Sequence, residues 1–282
     1  MPLDLSSIGT TSRVHTFDYD WKTLAIYALG VGAKKSELAY LYEGAVGGMK
    51  VLPTFAVVPA FAPLVDCLGK TGGDMAMVVH GAQKIRAFRS IPAQGTLETT
   101  GTLKAIYDLK KFAQAIIETR TMFGGELAFE TTWSIIYREA GGFGGPRPPP
   151  SDAPSIPKDR TPDWTVEEAT SPEQALLYRI SGDQNPLHAD PAFAERVGFP
   201  QGPILHGLCT FGFAGRAVVR AACGGDPAKL TGLTAQFRKP VWPGDTLVTR
   251  GFKLDDGRIA ISTSVKERPD AVLTGAFAEV AS

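Results

Sequence analysis

Residues 140–163 read AGGFGGPRPPPSDAPSIPKDRTPD. Proline fixes φ and removes a backbone donor, so a run this rich in proline and glycine joins neither a helix interior nor a central strand. It is expected to be a semi-rigid linker. The fold must then be built from the segments on either side, 1–139 and 164–282. Each has the size of an ordinary domain.

The two flanks share an order of elements. In the first, FDYDWKTLAIYALGVG (17–32) reads as a helix, with Asp18 or Asp20 as its cap and Leu24, Tyr27, Ala28 and Val31 on one face. An apolar segment at 53–69 reads as a buried helix interrupted by Pro59. Strand-like runs follow at 75–89, 96–109, 111–122 and 127–139, each rich in β-branched and aromatic residues. In the second flank, 171–182 reads as a short helix capped by Ser171 with Pro172 in its first turn. Residues 203–223 form a long apolar helical run, and strands are expected at 229–242, 245–255, 258–268 and 271–280. Helix then strands, twice, predicts two α+β units of one plan, each an antiparallel sheet wrapped round a central helix. Gly207, Gly212, Ala214 and Gly215 would let neighbouring chain pack close to the second central helix.

Composition narrows the partners. Lys plus Arg equals Asp plus Glu at 29 each, so the 282-residue chain has no net field to attract nucleic acid or an anionic membrane. The longest apolar run, 51–65, holds three prolines and is too short to span a bilayer. The first residues lack the apolar core of a secretory signal, and the last lack an SKL-type tag, so a cytoplasmic location is expected. Cys67, Cys209 and Cys223 are widely spaced, which suits buried thiols in a reducing compartment and not a disulfide framework or zinc site.

One stretch carries chemistry. SGDQNPLHADP (181–191) places Asp183, Asn185, Pro186 and His188 within six positions. A five-residue spacing does not put Asp183 and His188 on one face of a helix, and Pro186 disfavours a helix there. The segment is expected to be a structured loop, either a capped surface turn or an acid/base pair converging on one water. Shortly after it, the apolar helix begins near Ile204 or His206, and Gly207 lies in its first turn. First-turn N–H groups lack intrahelical partners, and nothing on a glycine blocks approach to its own. Such an N–H could receive a developing oxyanion, or the glycine could serve packing alone. His206 reads as packing at the helix start, His15 as a solvated tail residue, and Trp21, Trp133, Trp164 and Trp242 as core or interface residues.

With those residues in view, the chain resembles the MaoC-like hydratases, in particular the two-repeat branch of (R)-specific 2-enoyl-CoA hydratases. YRISGDQNPLHADPAFAERVGFPQGPILHGLCTFGFAGRAVV (178–219) is similar to that family's active-site motif. YALGVG (27–32), PTFAVVPAF (53–61), VVHGAQ (78–83), AGGFGG (140–145) and FRKPVWPGD (237–245) resemble its landmarks in order. The resemblance implies a double hot-dog fold, Asp183 and His188 as the catalytic pair, Gly207 N–H as oxyanion donor, and Asn185 shaping the loop. It also implies that His80, Gly81, Gln184 and Phe237 contact substrate. The family places a lysine near the CoA phosphates; here the corresponding turn reads DLKKF, which makes Lys110 or Lys111 the candidate. The first repeat has EGAVGGMKVLP (43–53) before its apolar helix and no D-x-N-P-x-H, so it is expected to be catalytically silent and to form the acyl and CoA pocket.

The implied reaction is reversible addition of water across C2=C3 of a trans-2-enoyl-CoA to give (3R)-3-hydroxyacyl-CoA in fatty acyl-CoA metabolism. It requires no metal or other cofactor beyond the CoA of the substrate, and no metal-ligand cluster is evident in the sequence. A homodimer is expected. The alternatives are a hydratase of branched or carboxylated enoyl-CoA such as mesaconyl-CoA, a hot-dog thioesterase, and a non-catalytic acyl-CoA binder.

Overall fold

A computed structural model describes residues 3–75, 78–156 and 159–281, except the side chain of Pro269. Ala76 and Met77, in the run expected to form the first unit's opening strand, and Pro157 and Lys158, in the expected linker, lie outside the described residues. The first half contains β1 (His15–Tyr19), α1 (Trp21–Gly30), α2 (Val57–Gly69), β2 (Val78–Ala87), β3 (Gly95–Asp108), β4 (Phe112–Phe123) and β5 (Glu126–Arg138). The second contains β6 (Trp164–Ala169), α3 (Gln174–Tyr178), α4 (Pro191–Arg196), α5 (Gly207–Ala222), β7 (Leu230–Phe237), β8 (Thr246–Lys253), β9 (Ile259–Val265) and β10 (Arg268–Val280).

The strands form one antiparallel sheet in the order β1-β3-β4-β5-β2-β7-β10-β9-β8-β6. This order is a palindrome in the two halves, joined where β2 pairs with β7 from Ala82↔Gln236 to Arg86↔Gly232. Side chains alternate in and out along β3, with Leu97, Thr99 and Leu103 buried. The apolar inward faces close on α2 in the first half and on α5 in the second. The architecture is a double hot-dog: two curved five-stranded units, each round its own helix.

Several local expectations are corrected. The chain over 15–19 is a strand, not a helix start, because it pairs with β3 from His15↔Thr99 to Tyr19↔Gly95. The cap of α1 is Asp20, whose Oδ1 accepts from Thr23 N–H at 3.0 Å. His15 is accordingly a strand residue, with Nε2 3.3 Å from Asp66 Oδ2. Pro59 does not interrupt α2; it lies in the first turn, where its missing N–H has no intrahelical partner to lose. The interior proline of α2 is Pro63. In the second half α3 starts only at Gln174, so Ser171 is not its cap, and Ser171 Oγ instead accepts from Glu173 N–H at 3.0 Å in the turn before it. The strand β6 and the short helix α4 were not foreseen, although α4 carries a legible start: Asp190 caps it and Pro191 opens it.

The halves are cross-tied at the C-terminal end of α1, where carbonyls lack helical partners. Gln174 Nε2 donates to Gly30 O at 2.7 Å and Cys209 Sγ to the same oxygen at 3.1 Å. Arg216 of α5, with a fully buried side chain, donates to Val31 O at 2.9 Å, to Glu37 at 2.5 Å and to Glu168 at 3.0 Å. Glycines set how closely α5 approaches the first half: a Cβ at Gly212 would sit 2.3 Å from Val31 Cγ1, and one at Gly215 2.6 Å from Thr54 Cγ2. The connecting segment is held against both halves. Asp108 accepts from Gly142 and Gly144 N–H at 3.0 and 2.8 Å, and Arg258 Nη1 donates to Asp152 O at 3.1 Å.

Candidate active site

The expected loop between α3 and α4 is present. A 3-10 turn, Arg179–Ser181, ends at Gly182 with φ 136°, a conformation that favours glycine. Asp183 follows, and its Oδ1 accepts from Asn185 N–H at 3.1 Å. Asn185 Oδ1 then accepts from Leu187 N–H at 3.0 Å and caps a second 3-10 turn, Pro186–His188. Pro186 therefore opens a short turn and Asn185 shapes it. The turn carries His188 inward to 8% exposure.

His188 Nδ1 lies 2.8 Å from Ile204 O. A carbonyl only accepts, so Nδ1 carries the proton and Nε2 the lone pair. Burial pushes the His188 pKa below the ordinary value, against the pull of Asp183. The imidazole is neutral at pH 7 and able to accept a proton.

His206, the residue before α5, is 1% exposed. Its Nε2 donates to Asp183 O at 3.1 Å, and Nδ1 is buried without a hydrogen-bond partner. Its ring stacks on His188, centroids 3.7 Å apart at 27°, and lies 4.9 Å from the Tyr178 ring. Burial, and then the neighbouring His188, push its pKa down to about 2. The expected packing role at the helix start is thus joined by a polar contact to the acid/base loop, a contact that sequence spacing gave no means to see. Arg179 adds positive charge that disfavours protonation of both rings. Its Nη2 donates to Gln184 O at 3.4 Å.

The fold gathers a group that the sequence did not display: one ligating atom each of Asp183, His188 and His206, all within 4.8 Å of one another. Two imidazoles bind one ion when their in-plane lone pairs converge. Rings stacked at 27° send theirs nearly side by side. The arrangement suits a hydrogen-bonded water between Asp183 and His188 better than an ion.

Gly207 opens α5 with a first-turn N–H that has no carbonyl four residues back to bond within the helix. A Cβ there would lie 3.0 Å from the Phe237 ring. Phe237, at the end of β7, meets His80 of β2, centroids 4.8 Å apart, and His80 stacks on Trp133 at 5.1 Å. Gly81 sits at a bulge, where the β2–β5 register shifts between His80 and Ala82. Burial pulls the His80 pKa to about 4. The structure therefore brings Asp183, Asn185, His188, Gly207, Phe237, His80 and Gly81 into one connected region across the β2–β7 seam. Gln184 is exposed on the loop. Lys110 lies elsewhere in the fold's connectivity, in the β3–β4 turn with φ 71°, its N–H donating to Asp108 at 2.8 Å.

A cleft of about 630 Å³ opens beside His188, walled by Leu176, Gln201, Pro203, Trp242 and Arg268 among others. Trp242 thus has a place at the cleft beyond simple packing. Arg268 lies 4.7 Å from its ring centroid and pairs with Asp245 at 2.6 Å.

Comparison with known proteins adds a second line of findings. Residues 155–275 match a family described as MaoC like domain, and residues 17–139 match one described as MFE-2 hydratase 2 N-terminal domain. A Mycobacterium tuberculosis protein named 3-hydroxyacyl-thioester dehydratase Y is 41% identical over 272 residues, covering 94% of this chain and 92% of its own. An Arabidopsis thaliana protein named Enoyl-CoA hydratase 2, peroxisomal, is 39% identical, covering 92% of this chain and 89% of its own. The crystal structure of a MaoC-like dehydratase from Phytophthora capsici has a TM-score of 0.89 at 30% identity, covering 99% of this chain and 98% of that one.

Proposed function

The chain belongs to the MaoC-like hydratase 2 family, and from that premise we propose that it reversibly hydrates trans-2-enoyl-CoA to (3R)-3-hydroxyacyl-CoA. It is a hydro-lyase acting on acyl-CoA thioesters. The observation that carries the reading is the approach of the Asp183 carboxylate and the His188 imidazole to within 4.8 Å, a span that one water bridges.

The chemistry follows from what that pair and Gly207 can hold. Water oxygen forms a bond to C3, and the C2=C3 electron pair moves toward C2 and the thioester carbonyl. The Asp183–His188 pair accepts one proton from water, and one proton is returned to C2, so the pair ends as it began. Charge gathers on the thioester oxygen, for which Gly207 N–H is the assigned donor; such a donor contributes about 100-fold to 1,000-fold in rate. One water delivered from one side gives syn addition. His80, Gly81, Gln184, Asn185 and Phe237 are assigned to holding the substrate and the loop, and Lys110 to the CoA phosphates. No step needs a metal or a separate cofactor. The reading favours uncharged acyl groups over carboxylated ones, because Arg268, the guanidinium among the described cleft residues, is already paired with Asp245.

A homodimer and a cytoplasmic location complete the proposal. Three free, buried cysteines suit a reducing compartment, and no helix among the described residues is long and apolar enough to cross a membrane.

The test mixes the protein with a short and a medium-chain trans-2-enoyl-CoA and follows loss of the conjugated thioester's ultraviolet absorbance, with thiol release in parallel. Absorbance loss without thiol, yielding product that only an R-specific dehydrogenase oxidises, is expected. Thiol release would replace the reading with a thioesterase. An S product, or no reaction with either substrate, would also overturn it.

A further inference from the structure

The two histidines of the site make mirror-image contacts. His188 lies on the 182–189 loop and donates Nδ1–H to Ile204 O, at 2.8 Å, on the segment that leads into α5. His206 lies on that second segment and donates Nε2–H to Asp183 O, at 3.1 Å, on the first. The rings stack at 3.7 Å between these two bonds. Asp183 and His188 are thereby laced to the residue that directly precedes Gly207.

In the first half the residue directly before α2 is Ala56, and the ring on the first helix's tyrosine comes from its neighbour Phe55, which packs on Tyr27 of α1 with ring centroids 5.4 Å apart. In the second half His206, just before α5, packs on Tyr178 of α3 at 4.9 Å. The same aromatic contact is kept, but the ring in the second half has a donor, and the donor reaches the backbone of Asp183. Packing on that tyrosine is met in the first half by a ring with no donor, Phe55.

We propose that His206 is a positioning residue for the hydration reaction: with His188 it forms a reciprocal clasp that fixes the Asp183–His188 pair relative to the Gly207 N–H. The clasp also fixes tautomers. Each donated proton faces a carbonyl, so His188 presents Nε2 unprotonated, while a second proton on His206 would be a buried N–H at the partnerless Nδ1. Misplacing catalytic groups by about 1 Å costs on the order of 100-fold in rate. That displacement is what loss of the His206 donor is expected to allow.

This inference rests on the hydratase reading, and its test has two independent arms. The first compares His206→Phe, which keeps an aromatic ring but removes the donor, with His206→Gln, whose amide N–H can replace Nε2–H. His206→Phe is expected to lower kcat about 100-fold with KM changed less than about threefold, while His206→Gln stays within about tenfold of wild type. A folded His206→Phe enzyme with wild-type kcat, or equal kcat for the two variants, would overturn the clasp. The second arm needs neither a variant nor turnover. In wild-type protein with nitrogen-15 histidine, the nuclear magnetic resonance signals of four histidines are to be assigned. His206 is expected as the neutral Nε2–H tautomer and His188 as the neutral Nδ1–H tautomer at pH 7; either ring in the opposite tautomer overturns the proposal. Wild type that hydrates no enoyl-CoA but shows both tautomers would count against the activity and leave the clasp standing.

Discussion

The two halves share an element order and a sheet topology, and differ in what fills the space between the first helix and the chain entering the central helix. In the first half that space is nearly closed: a void of about 10 Å³ remains among Leu24, Tyr27, Tyr40, Val51, Leu52 and Phe55. In the second it is a cleft of about 630 Å³ beside His188. Phe55, fully buried, meets Phe17, Tyr19 and Tyr27 and plugs the first half. The same frame is therefore a packed core on one side and holds an open cleft on the other. A buried apolar plug stabilises, whereas an open cleft with the His188 imidazole in its wall forgoes that burial and must be held by hydrogen bonds. Arg216 illustrates the cost, since it joins the halves through buried charges instead of apolar contacts.

The largest break in this comparison should come from that joint. Arg216→Met strips half-buried Glu37 of its guanidinium and leaves buried Glu168 with Arg220 alone, at 2.9 Å. It should cost about 3–5 kcal/mol in chemical denaturation, as loss of one partner of a buried pair does. A change below 1 kcal/mol in urea unfolding would mean that the network contributes little.

Next in size is the functional asymmetry. Asp183→Asn and His188→Ala should each lower turnover roughly 100-fold or more with an unchanged circular dichroism spectrum. Leu38→Ala, in the matching segment of the first half and largely exposed, should leave turnover unaltered. Equal losses in both halves would erase the division of labour.

A pH series sharpens the contrast more gently. His188 and His206 are held neutral by burial, while in the unfolded chain a histidine takes up its proton near pH 6.5, about its ordinary value. Below that pH the unfolded state binds more protons, so stability is present above it and is lost as the pH falls. The slope is up to about 1.4 kcal/mol per pH unit for each histidine. In the first half His80, pulled to about 4 by burial, adds one contribution of the same sign, so the contrast is two histidines against one. Urea midpoints that do not decline between pH 7.5 and 5.5 would contradict the buried, neutral assignment.

The smallest expected effect concerns Lys110. If it meets a CoA phosphate, Lys110→Ala raises KM about threefold and leaves kcat unchanged. A lowered kcat at constant KM would remove it from the binding role.

Much of this was legible without coordinates. Strand periodicity, the central α5 with its small residues, and the Asp183/His188 loop can be read because each depends on neighbours in sequence. What escaped depends on partners far away. β1 looked helical because its five residues run directly into α1, and its strand character comes from pairing with β3. Pro59 looked like an interruption because only the true start at Val57 turns it into a first-turn residue. His206 looked like packing because its contact with Asp183 O spans 23 positions. The candidate ligand group of Asp183, His188 and His206 was hidden for the same reason.

The sequence by itself determined the twofold plan, the asymmetry between a half with D-x-N-P-x-H and one without it, and the candidates Asp183, His188 and Gly207 for the proposed chemistry. These are local properties: turn chemistry, side-chain period and the lack of a Cβ. Tertiary structure alone decided that β2 and β7 join the halves into one sheet, that His80 and Phe237 meet across that seam, and that two imidazoles stack and each donate to the loop segment carrying the other. Those outcomes require groups distant in the chain to be brought to hydrogen-bonding distance, and it is the burial of both apolar faces round α2 and α5 that brings them there.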